Sequence, residues 1–135
     1  MALSIPDEGE EDILDVIFAT TLVLRLFKNN LTPTNASVLS DFTEADFTGY
    51  AAITLTGGSW TTTPGAPSIA TYVAQTFTCS AAGAAQTIYG YYITRTSSGR
   101  VWVAERFPAA DIAAISAAGQ TRIVNPRVTL KDESD

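Results

Sequence analysis

The chain has no histidine and a single cysteine, Cys79, among its 135 residues. Histidine is the usual base that takes the proton from Ser, Thr or Cys, so its absence excludes the ordinary nucleophilic triad. One cysteine cannot form an intrachain disulfide, and without histidine it cannot anchor a soft-metal cluster. Cys79 therefore reads as a small buried hydrophobe. Basic residues are few and scattered: eight Lys and Arg form no cluster able to displace phosphate counterions, which sets nucleic acid aside. No apolar run approaches the roughly 18 residues of a membrane span. The N-terminus is acidic where a secretory signal needs basic residues, so a soluble chain made in the cytoplasm is expected, with no membrane partner. The sequons at Asn30 and Asn35 then carry no meaning. Gly57-Gly58 is followed by Ser59-Trp60 rather than by a lysine, so it is a turn and not a phosphate loop.

Charge is scarce as well. Charged residues make up 16% of the chain, against about 25% in typical soluble domains. What charge there is segregates: residues 1–20 hold six acids and no base, residues 21–131 hold five acids and eight bases, and Asp132, Glu133 and Asp135 end the chain. Three segments follow, an acidic N-terminal arm (1–20), a mildly basic β-domain (21–131) and an acidic tail (132–135). Opposite fields of this kind favour attraction between an end of one copy and the body of another. From Phe47 to Thr94 there is no charged residue at all, which points to a surface that is neutral or partly hidden by assembly.

Periodicity supplies the elements. Asp7 and Glu10 have the spacing of a capping box, and Ile13, Leu14, Ile17 and Phe18 the spacing of one helix face, predicting a helix to about Ala19. Leu22, Leu24 and Leu26 alternate with Val23, Arg25 and Phe27, predicting a strand that ends at Asn29-Asn30. Tyr50 to Leu55 reads as a second strand, Thr61 to Pro67 as irregular, and Ile69 to Cys79 as one long strand. Thr87–Thr96 and Val101–Phe107 flank Ser97-Ser98-Gly99-Arg100 as a hairpin. Pro108 to Gln120 allows a helical turn, and Thr121 to Leu130 a last strand that Pro126 makes an edge or a bulge. The expected fold is mainly β: a single antiparallel β-sandwich or barrel-like domain with a short N-terminal helix.

The candidate chemistry is thin. Asp41, Glu44, Asp46 and Glu105 are the carboxylates available for acid/base work, and the first three fit no EF-hand spacing and supply too few Ca²⁺ ligands alone. Glu105 lies on an apolar strand face and is expected to pair with Arg122 or Arg127. No catalytic, cofactor-binding or metal-binding residue, and no cofactor, is proposed. Aromatic residues concentrate in the low-charge region, where Tyr and Trp serve as core or as interface anchors. Ile13, Leu14, Ile17, Tyr50, Trp60, Tyr89, Tyr91, Trp102 and Arg106 are the candidate contact residues. Gly90, between Tyr89 and Tyr91-Tyr92, marks a place where a bulky group or another backbone comes close.

Several blocks stand in order: Leu26-Phe27-Lys28-Asn29-Asn30, Thr32-Pro33, Phe42 through Ala51, Trp60, Phe77-Thr78, Ile88 through Tyr92, and Trp102 through Phe107. Over about Ile5 to Leu130 the set resembles a group of small tailed-bacteriophage virion proteins, encoded with head genes and regarded as capsid decoration or cement proteins. The resemblance implies a β-rich, non-enzymatic subunit on the head exterior, assembled as a homotrimer and gripping the major capsid protein. The alternative is a tail or fibre-associated module that binds a receptor glycan through exposed Tyr and Trp.

Overall fold

The computed structural model describes residues 4–130; the acidic tail at 132–135 lies outside the described residues. α1 (Asp7–Phe18) is followed by β1 (Leu22–Phe27), a 3-10 turn at Leu39–Asp41, β2 (Ile53–Leu55), β3 (Thr61–Thr63), β4 (Ser68–Thr71), β5 (Gln75–Thr78), β6 (Gln86–Ile88), β7 (Gly90–Arg95), β8 (Val101–Arg106), β9 (Ala113–Ile115), β10 (Thr121–Val124) and β11 (Arg127–Leu130). The chain is mainly β, paired antiparallel, with one N-terminal helix, as its periodicity predicts. The strands form four sheets in the orders β2-β1-β7-β8, β10-β5, β11-β4-β3 and β6-β9, none of which closes into a barrel. Their contacts define two compact units.

The first unit comprises residues up to 21, 55–74 and from 125 onward. Here α1 packs on β3 and β4. Its buried positions are Glu10, Leu14 and Phe18, spaced four residues apart on one face. Phe18 lies 4.2 Å from the Trp60 ring, which meets Tyr72 edge-on at 5.3 Å. The helix starts differently from the expected capping box: Pro6 occupies the N-cap with no side-chain bond. Glu10 turns inward instead, where its Oε2 accepts the Ser68 N–H at 3.3 Å. Burial of a carboxyl beside a strand N–H has replaced the reach back to the cap.

The second unit comprises residues 22–54 and 75–124. β1 is its spine, with Leu22, Leu24, Leu26 and Phe27 fully buried. β7 pairs along it from Leu22↔Arg95 to Phe27↔Gly90, and Phe27, Phe42 and Tyr92 form an aromatic core. Gly90 is where backbones crowd: a Cβ there would lie 2.1 Å from the Glu105 carbonyl oxygen. The β7–β8 hairpin closes through Gly99, whose φ of +67° a side chain would resist, and Arg95 N–H donates to Arg100 O at 2.9 Å.

Several expected elements are corrected. Thr61–Thr63 is a strand, because three β-favouring threonines precede the turn at Pro64-Gly65. The long strand expected over Ile69–Cys79 is two, β4 and β5, belonging to different sheets. The final strand is likewise split into β10 and β11, since Pro126 has no N–H for a ladder. The Tyr72 N–H donates to Pro126 O at 3.0 Å, so one break faces the other. The Ala-rich segment forms β9 against β6 rather than a helical turn. Pro108 and Gly119 leave too few residues between them for a self-supporting helix.

Candidate functional site

The three loop acids do not converge. The Asp41 Oδ2 accepts the Val38 N–H at 2.8 Å, holding the 3-10 turn. Glu44 is gripped by Arg25, whose Nη1 reaches both carboxylate oxygens at 2.9 and 2.8 Å. Asp46 pairs with Lys28, and that hydrogen bond holds its carboxyl below the ordinary value. The reason lies in the backbone: Lys28 N–H donates to Thr43 O and Ala45 N–H to Leu26 O, so residues 43–46 lie along β1. Arg25 on β1 and Lys28 just past its end then meet Glu44 and Asp46. Among the described residues no group of three or more His, Cys, Asp or Glu could hold a metal ion.

Tyr50 completes this staple. Its hydroxyl donates to Glu44 Oε1 at 2.9 Å and accepts the Leu26 N–H at 3.1 Å. Its ring stacks on Phe77 at 5.6 Å. Burial, helped by the Glu44 charge, pushes the phenol well above its usual range. Tyr50, a candidate contact residue, is thus committed to holding the second unit together.

The other candidates divide. Leu14 (2% exposed), Trp60 (9%) and Tyr91 (2%) are core residues, which corrects their expected role as contacts: their surfaces are spent on their own unit. Ile17 is half-buried and Ile13 is 38% exposed. Beside Ile13 the helix presents Val16, 75% exposed, which the chosen helical stripe missed. Glu105 finds neither Arg122 nor Arg127; it accepts the Tyr91 hydroxyl at 2.6 Å. Arg122 turns back to Thr121 O at 2.7 Å, and burial lowers its pKa.

Of the remaining candidates, Tyr89 and Arg106 come together, while Trp102, four residues along β8, meets Arg95 instead. Arg106 lies over the Tyr89 ring at 5.1 Å and donates from Nη1 to Leu31 O at 2.8 Å. Arg95 lies over the Trp102 ring at 5.4 Å. Arg100 is exposed beside them, and neither Arg95 nor Arg100 has an ion pair among the described residues. β8 is the outermost strand of its sheet, and Val101 to Ala104 are only half-buried. Arg100 was legible as part of the hairpin turn, whereas the stacking of Arg95 over Trp102 joins facing strands whose register shifts between Ile93 and Thr94. No helix among the described residues is long and apolar enough to cross a membrane. Comparison with protein-family models, with curated proteins and with solved structures finds no match.

Proposed function

We propose that the chain is a capsid decoration protein, non-enzymatic, that binds the outer surface of a phage head and stabilises the lattice by bridging copies of the major capsid protein. The observation that carries this reading is the β8 edge, where Arg95 lies over Trp102 near the turn and Arg106 lies over Tyr89 at the other end of the strand. Edge strands with half-buried apolar residues lend themselves to pairing with another chain. Arginine stacked on an aromatic ring is a frequent interface anchor. Acids concentrated on α1 and cations on the hairpin give copies complementary faces, which favours a symmetric homo-oligomer, a trimer by resemblance. The commitment of Asp41, Glu44 and Asp46 to protein partners supports a structural use of those acids.

The test is co-sedimentation of the purified chain with expanded heads, alongside sedimentation velocity of the chain alone. Saturable binding by an oligomer is expected, weakened about tenfold or more by Trp102→Ala combined with Arg95→Ala. A monomer that leaves expanded heads undecorated would overturn the proposal.

A further inference from the structure

Two hydroxyls in the second unit belong to nearly buried residues, have no protein partner among the described residues, and open to solvent. Tyr92 is 2% exposed and Thr94 is 4% exposed. Among the described residues neither hydroxyl has a hydrogen-bond partner, and neither oxygen is shut off from solvent. Hydroxyls so placed keep their bonding capacity for solvent or for a ligand that displaces it. Both line one open cavity of about 310 Å³.

The rest of its wall is built. Tyr92 lies directly opposite Arg25 in the β1–β7 ladder, and Thr94 opposite Val23, so the two hydroxyls and the guanidinium share a sheet face. Arg25 uses only Nη1 on Glu44, leaving Nε and Nη2 without a protein acceptor among the described residues. Glu44 is held on its other side by Tyr50. Phe42, stacked on Tyr92 at 4.7 Å, and Leu39, 46% exposed, add apolar surface. The Glu44 charge pushes the Tyr92 phenol up further after burial has done so, consistent with both groups facing one small space.

The combination selects a ligand class. Arg25 and Glu44 cancel, so a net ion of either sign would meet one like charge. What remains is a mixed set of donors and acceptors around an apolar wall, with a volume at the lower end of the range for small-molecule sites, about 300–1,000 Å³. We propose that this cavity binds one neutral polyhydroxylated ring, a hexose or N-acetylhexosamine, with its hydroxyls on Tyr92, Thr94, Arg25 and Glu44 and its C–H face against Phe42 and Leu39. The site is independent of the proposed capsid role: the chain can bind heads and no sugar, or the reverse.

The experiment is a two-dimensional NMR titration of the full chain with the methyl glycosides of glucose, galactose and N-acetylglucosamine. Saturable shifts around Phe42, Tyr92 and Thr94 are expected from at least one. The double variant Tyr92→Phe, Thr94→Val keeps both shapes without the hydroxyls and should bind about tenfold or more weakly, with the dispersed β-sheet spectrum showing that it folds. A second arm presents the same sugars at the ends of immobilised oligosaccharides: binding there as well identifies a surface glycan, and binding of the free glycoside alone identifies a soluble sugar. The proposal is overturned if no sugar binds in either arm, or if the double variant binds as well as the parent chain.

Discussion

Gly90 faces Phe27 across the β1–β7 ladder so closely that a methyl group at position 90 would lie 2.6 Å from the Phe27 ring. The Glu105 carbonyl crowds the same point from β8 at 2.1 Å. Neither neighbour is the free end of a flexible chain. Gly90→Ala should therefore destabilise the protein by about 2–4 kcal/mol through overpacking between three strands. A urea melt checks it; a midpoint within error of the parent would show that β7 can shift without loss.

Tyr50 carries two bonds on one oxygen, one given to Glu44 and one received from Leu26. Tyr50→Phe keeps the ring against Phe77 and removes both, leaving the Leu26 N–H without its acceptor. A loss of about 1–3 kcal/mol is expected. Hydrogen exchange at the Leu26 amide should quicken more than at the neighbouring Leu24, which distinguishes a local lost bond from a general loss of stability.

Glu10 is 1% exposed, and its Oε1 has no hydrogen-bond partner among the described residues. A carboxylate so placed gives up hydration for one bond of 3.3 Å to Ser68. Glu10→Gln retains an oxygen for that N–H and removes the charge. The variant should be more stable by about 1–2 kcal/mol, visible as a higher melting temperature. A fall in melting temperature would contradict the account of Glu10 as a tolerated buried carboxyl.

Alkali should unfold the chain through its buried tyrosines. Burial, aided by the Glu44 charge, pushes Tyr92 up to about 12, and Tyr50 is raised as well. In the unfolded chain a tyrosine ionises near pH 10. Above that the unfolded state has lost protons that the folded state keeps, so stability falls as pH rises. The contribution is whole below about pH 10 and is lost toward about pH 12. Melting temperatures measured across this window should decline, and Tyr92→Phe should decline less steeply than the parent.

Much of the second unit was legible. The alternation of Leu22, Leu24 and Leu26 announces β1, and Ser97-Ser98-Gly99-Arg100 announces the hairpin, because turn chemistry and period 2 are local properties. Gly90 was legible as a close approach for the same reason: only a residue without Cβ fits between bulky strands. The break between β4 and β5 was not, since Tyr72-Val73-Ala74 continues the alternation on either side. Its cause is a change of ladder partner from β11 to β10, which periodicity does not encode. Leu14 and Ile13 are equally apolar, and only packing against β3 and β4 decides that one is core and the other exposed.

Composition and spacing by themselves determined a mainly β chain with one acidic helix, little charge to spend and no histidine-based chemistry, because these depend on which residues are present and on local backbone preference. Tertiary structure decided the pairing. It set Arg25 against Glu44, gave Glu105 to Tyr91, and brought two hydroxyls of β7 without protein partners into one cavity. Those outcomes depend on which strands lie side by side and in which register, and a shift of a single residue would turn each of these side chains to the opposite face.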